Sequence, residues 1–245
     1  MSSEWWKRIR IVLVIALVVA AVRVGIIFYE RHQPIEARKP PERESSYTMT
    51  DDDYVAPPKV FPYDLKSANK ELSGKTVWVR SGNRLAYYPY SGAAHRLNLS
   101  HNAGVLAPLE KLKIKDFLLQ NNPRSPKQKQ IMAIFVKAGD PIGYGAPAGI
   151  AEEGTYTFYV NEIFFLEDPH QLYKHWPAEI WNAIDHHEAK PGMNELQVGF
   201  ALGTSAIVGT GDYGNRQLEY TNAGKTVTVT FSNNRAVKVE QGTGQ

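Results

Sequence analysis

Residues 191–203 read PGMNELQVGFALG, and this stretch decides the fold. Lys190-Pro191-Gly192 cannot continue a helix, because proline lacks the N–H and glycine favours a turn. Asn194 follows as an N-cap, and Gln197 stands three residues on, the spacing of a capping box. Met193 and Val198 occupy the two positions of a hydrophobic staple. Gly203 is placed as the glycine just past a helix end. Gly199, inside that helix, costs about 1 kcal/mol against alanine, which leads us to expect close packing against it. Upstream, residues 177–189 read as a first helix, with Pro177 in its first turn and Ile180, Trp181 and Ile184 as its apolar stripe. Downstream, residues 216–221, 225–231 and 235–240 alternate as strands, Val227, Val229 and Phe231 facing in and Thr226, Thr228 and Thr230 out. Turns at Asn222-Ala223-Gly224 and Ser232-Asn233-Asn234 join them. Residues 171–241 are therefore expected to be an ααβββ unit, a helical hairpin on an antiparallel sheet. The Gly209-Thr210-Gly211-Asp212-Tyr213-Gly214 run reads as a loop between the hairpin and the sheet.

Gly192-Met193, Gln197-Val198 and Leu202-Gly203 resemble the G-M-T-x-x-Q-V-x-x-x-L-G signature of the SmpA/OmlA lipoproteins, accessory subunits of the outer-membrane barrel-assembly machinery. The likeness covers about residues 178–240. It implies the hairpin-on-sheet fold, an envelope location, and outer-membrane assembly components as partners. It also implies that Gly192, Met193, Gln197, Leu202 and Gly203 build the hairpin and are not catalytic. The chain has no cysteine, so it cannot be lipidated as those lipoproteins are.

Residues 60–170 read as β-rich. The stretch 75–80 (KTVWVR) alternates, and 130–136 (QIMAIFV) is apolar almost throughout, as in a central strand covered on both faces. Residues 142–147 and 155–166 look extended, the latter with Tyr156, Phe158 and Val160 on one face. Turn signals fall at residues 81–83, 121–123, 139–141 and 149–154. Several short strands predict a small barrel or a strongly bent sheet, with an SH3-like barrel the favoured form. The whole chain is thus expected to be α+β: an N-terminal transmembrane helix, this β-rich domain, then the ααβββ unit.

The segment 11–29 (IVLVIALVVAAVRVGIIFY) is long enough to span a bilayer, with Lys7, Arg8 and Arg10 before it and Trp5 and Trp6 at the interface. Arg23 can snorkel to the headgroups. Two readings stay open. One is a signal anchor behind a cytoplasmic tail of residues 1–10. The other is a signal peptide cleaved after Ala21. The anchor is favoured because apolar sequence continues past the cut. A single-pass inner-membrane protein with periplasmic domains follows. Residues 30–58, rich in proline and mixed charge, read as a tether spanning about 30 Å as a flexible coil.

The 245 residues include 28 Lys/Arg and 25 Asp/Glu, a net charge of +3. The first 44 residues account for all of it, and the rest is neutral. The folded part therefore lacks the basic surplus of a nucleic-acid binder. The absence of cysteine removes thiolate zinc sites, iron–sulfur clusters and thiol catalysis. No nucleophile-elbow or S-x-x-K motif occurs. The Gly139-to-Gly145 run matches no phosphate-binding loop. No cofactor is expected, and no enzymatic activity. His170, His175, His186 and His187 cluster in sequence, which leaves metal-dependent hydrolysis as an alternative, although adjacent His186 and His187 point about 100° apart on a helix and no H-E-x-x-H occurs. Tyr87, Tyr88 and Tyr90 are the candidate contact residues, for a protein partner or for peptidoglycan. The edge of the C-terminal sheet is a second contact candidate, by strand addition.

Overall fold

The computed structural model describes residues 3–32 and 49–242 except 123, 124, 126 and 223, with side chains in the N-terminal helix described only in part. That helix, α1 (Ser3–His32), belongs to one compact unit, and residues 49–245 form another. Among the described residues no helix is long and apolar enough to cross a membrane. The side chains of Ile11, Val12, Leu13, Ile15 and Val19, within the expected spanning segment, lie outside that description, as do residues 33–48 of the expected tether.

The second unit is mixed α+β, and its sheets are antiparallel. Nine strands among the described residues make the first sheet: β1 (Thr76–Val79), β2 (Ala86–Ser91), β3 (Arg96–Leu97), β4 (Gly104–Val105), β5 (Lys111–Asn121), β6 (Lys129–Lys137), β7 (Gly143–Glu152), β8 (Thr155–Phe158) and β9 (Phe164–Phe165). The order is β3-β2-β7-β6-β5-β1-β9, with β4 on β2 and β8 on β7. This is an open path with bulges in the β5–β6 and β6–β7 ladders, which bend long strands. Of the two forms expected for residues 60–170, it is an open sheet and not the SH3-like barrel.

Strand β6 is central as expected. Ile131, Ala133 and Phe135 enter the main core, while Met132 and Ile134 meet Leu97 on the other face. The expected long strand at 155–166 is interrupted. A first short helix, α2 (Leu65–Leu72), capped by Asp64, precedes β1. It is α3 (Val160–Ile163) that breaks the extended run, so that Val160 and Ile163 can both turn into the core. The turn expected at 149–154 shrinks to Glu153-Gly154, both with positive φ, because Gly149 to Glu152 pair with β8.

Beyond β9 come α4 (Pro169–Leu172), α5 (Ala178–Asp185) and α6 (Glu195–Leu202). Helix α5 stops four residues short of the expected Ala189. His187 adopts φ +55, its N–H bonds the Ile184 carbonyl and the Glu188 N–H bonds that of Ala183. This is a Schellman ending built on a histidine instead of a glycine. The second sheet has four strands, β10 (Ser205–Asp212), β11 (Asn215–Asn222), β12 (Lys225–Ser232) and β13 (Arg235–Gln241), in that order. The loop expected at 209–214 is thus the end of β10 and its turn into β11. Its glycines and its exposed residues hid the alternation.

The second core lies between this sheet, α5 and α6, and residues of the first sheet. Strands β1 and β9 send Val77, Val79 and Phe164 into the first core and Trp78 and Phe165 toward the second. Residues 49–64 are strapped across this body. The Asp52 carboxylate, whose side chain is largely buried, accepts from Trp176 Nε1 and from Asn194 Nδ2 at 2.7 Å, and lies 2.7 Å from His175 Nε2. Asn161 bonds both backbone groups of Val60. The C-terminal end of the expected tether is therefore docked onto the folded unit.

Candidate functional site

Helix α6 is positioned at both ends by the residues that the sequence marks as its caps. Asn194 accepts from the Gln197 N–H at 2.8 Å, and Gln197 Oε1 accepts from the Asn194 N–H at 2.9 Å. Met193 and Val198 are fully buried in the same core. Gly203 ends the helix at φ +82, and its backbone passes so close to Gly82 that a Cβ would stand 2.4 Å from the Gly82 carbonyl oxygen. The Thr204 N–H bonds that carbonyl, and Asn83 Nδ2 bonds the Leu202 carbonyl at 2.8 Å. The chain is thereby sent directly into β10.

Glu195, on the first turn of α6, secures the other end of that strand. Its buried carboxylate takes a two-pronged ion pair from Arg216 of β11 and accepts the Gly214 N–H at 2.9 Å in the β10–β11 turn. The carboxylate holds the Arg216 guanidinium above its ordinary pKa.

Between α6 and these strands lies a cavity of about 320 Å³ whose lining includes Arg80, Glu162, Leu196, Gly199, Leu218 and Tyr220. Gly199 has nothing within 4 Å of a Cβ position. The close packing expected there is absent, and the glycine faces the cavity instead. Burial, and then the Glu195 charge, push the Tyr220 phenol far above the ordinary tyrosine range. An unfolded tyrosine ionises near pH 10. A raised folded pKa means that the stabilisation is whole below that pH and is lost as pH rises above it. We expect the urea midpoint to hold level to about pH 10 and then to fall, with Tyr220→Phe making the fall shallower.

Strand β10 forms one long border of the second sheet, paired on one side with β11 among the described residues. Ile207 lies opposite the buried Leu218 yet is 58% exposed, and Val208 on the other face is 40% exposed. Ser205 to Gly211 carry no charge and no proline. The opposite border, β13, carries Arg235, Lys238 and Glu240, the kind of charge that discourages edge-to-edge pairing. One border is guarded and the other is open.

The expected contact tyrosines do not form one platform. They lie on β2, where alternation sends Tyr87 to one face and Tyr88 and Tyr90 to the other. Tyr87 packs edge-on against Tyr144 and Phe135 under the Lys137 ammonium, 4.0 Å from its ring centroid. Tyr88 and Tyr90 pack on the Met132–Ile134 face, and all three are half-buried. A hollow of about 630 Å³ adjoins Tyr90 and Arg96.

The histidines also separate. His170 stacks on Trp181, with Asp168 and Asp185 each 3.1 Å from one of its ring nitrogens. His175 meets Asp52. His186 and His187 turn to the carbonyls of Asn182 and Ala201. Among the described residues no three of His, Asp and Glu converge as a metal ligand set.

Gly192, at φ +89, Met193, Gln197, Leu202 and Gly203 all sit at the ends or the packed face of α6. The sequence reading missed Glu195, Arg216 and β10 itself. The Glu195–Arg216 pairing spans a helix and a strand, so no spacing rule exposes it. No protein-family model, curated protein or solved structure matches the chain.

Proposed function

We propose that this chain is a non-enzymatic protein-interaction module of a bacterial envelope, docking a partner through the β10 border of its second sheet. The observation that carries this reading is the contrast between the two borders. An edge strand presents a row of backbone N–H and C=O groups, and proteins ordinarily guard such rows with charge or proline. Here the stretch from Ser205 to Gly211, which leaves Ile207 and Val208 exposed, has neither. The natural complement of such a row is the backbone of an extended segment from a partner protein.

Support for the envelope setting comes from the sequence. The apolar run 11–29, with its basic and Trp flanks, supports an inner-membrane anchor with the folded unit in the periplasm. The SmpA/OmlA-like pattern at 191–203 supports outer-membrane assembly components as the partner class. The test is a photo-crosslinking side chain placed at Val208 or, as a control, at Val237, which is also a valine and more exposed but lies on the guarded border. In intact cells, position 208 is expected to yield a discrete adduct with an envelope protein and position 237 none. No adduct from 208, or the same adducts from both positions, would overturn the reading.

A further inference from the structure

We infer that the cavity beneath β10 is the specificity pocket of that border, that it receives one large apolar side chain of the incoming strand, and that Gly199 keeps it open. This rests on the reading of β10 as the docking edge and adds what that edge selects.

A glycine inside a helix lowers its stability, and the usual compensation is a neighbour that needs the space. At Gly199 there is no such neighbour, since nothing lies within 4 Å of the Cβ position. The residues around it, Val198, Phe200, Ala201 and Leu202, are all buried, so the gap is local and not the looseness of a poorly packed helix. Alanine would fit and would strengthen α6. The chain instead retains an opening.

Ser205 lines the cavity together with its cross-strand partner Tyr220, and so does Leu218, the partner of Ile207. The cavity therefore opens on the inward face of the β10–β11 pair. Strand side chains alternate between faces, so every second residue of an added strand would point to this side. Ile207, inward-facing but largely exposed, marks where the existing cover stops.

Leu196, Phe200 and Leu218 offer apolar wall. The Glu195 carboxylate at the cavity is already neutralised by Arg216. Arg80 and Glu162 carry opposite charges, which favours a neutral occupant. A volume of about 320 Å³ stands at the small end of ligand cavities, roughly 300–1,000 Å³. That suits a single aromatic or branched aliphatic group. The occupant is thus an extended peptide segment with a large apolar residue at an inward position.

The experiment uses the full-length protein in detergent and a phage-displayed library of random twelve-residue peptides as the probe. Selected peptides are expected to share an alternating pattern with one large apolar residue. Gly199→Leu should weaken their binding tenfold or more, and Gly199→Ala a few-fold, while both variants melt at or above the temperature of the parent. Changing the large peptide residue to alanine should cost as much against the parent protein, and little more against Gly199→Leu. Peptides that lose binding to Ile207→Lys but not to Gly199→Leu would overturn the pocket and leave the edge reading standing. Peptides indifferent to both changes would overturn both. A Gly199→Ala variant that melts lower than the parent would show that the space is not free, and would also overturn the inference.

Discussion

Gly203→Ala is expected to remove about 3–5 kcal/mol of folding stability, a large part of the 5–15 kcal/mol typical of a domain. Two costs combine. The residue sits at φ +82 and ψ −144, a conformation in which a side chain costs about 1–3 kcal/mol. The new Cβ would also stand 2.4 Å from the Gly82 carbonyl oxygen and 3.1 Å from Pro108. Gly82 cannot retreat, because its own Cβ position is 2.3 Å from the Pro108 nitrogen. Forcing such a contact apart costs about 1–3 kcal/mol more. Gly192→Ala is the internal control, with φ +89 but open space around it. It should lose only about 1–2 kcal/mol. Urea unfolding of both variants separates the two costs. Equal losses would mean that the 82 and 203 loops part cheaply, and that the close approach does not tie the two sheets together.

Glu195→Ala is expected to cost about 3 kcal/mol and to loosen the open border. Removing one member of a buried ion pair strands the other, at about 3–5 kcal/mol. Arg216 keeps some access to solvent, with about a fifth of its side chain exposed, which places the loss at the lower end. The Gly214 N–H also loses its acceptor, and with it the β10–β11 turn loses its attachment to α6. Replacing both partners by apolar residues, Glu195→Leu with Arg216→Met, should recover most of the stability, because no charge is then left buried. Amide hydrogen exchange should show the loosening first, in residues 205–216 of the Glu195→Ala protein. A uniform change across both sheets would instead mean that Glu195 supports the unit as a whole.

The legible parts of the fold were those specified by neighbours in the chain. The Asn194–Gln197 capping box, the Gly203 ending and the alternation of 225–231 each rest on contacts within four residues or on a strict period of two. They appear in the structure as read. Where distant contacts decide, the reading failed. No glycine marks the end of α5 at Asp185, for the positive-φ position falls on His187, and its ring is held by the Ala201 carbonyl of the facing helix. Nothing local breaks 155–166 at Val160. The alternation there is good, but the core takes both Val160 and Ile163.

The candidate site divides in the same way. The sequence alone determined the capped helix α6, the apolar segment 11–29, the neutral folded part and the absence of cysteine chemistry. It even exposed Gly199 as an anomaly, since helix propensity is a local property. Only the tertiary structure decided what that anomaly does. A cavity is the space that many separate segments leave unfilled, here the residues just after β1 and parts of α3, α6, β10 and β11. The openness of β10 is likewise a property of the whole sheet. Ser205 to Val208 become an edge because β11 pairs on one side and no described strand pairs on the other. A residue's partners within a turn of helix or a step of strand are written in the chain around it, whereas its exposure depends on what every other segment covers.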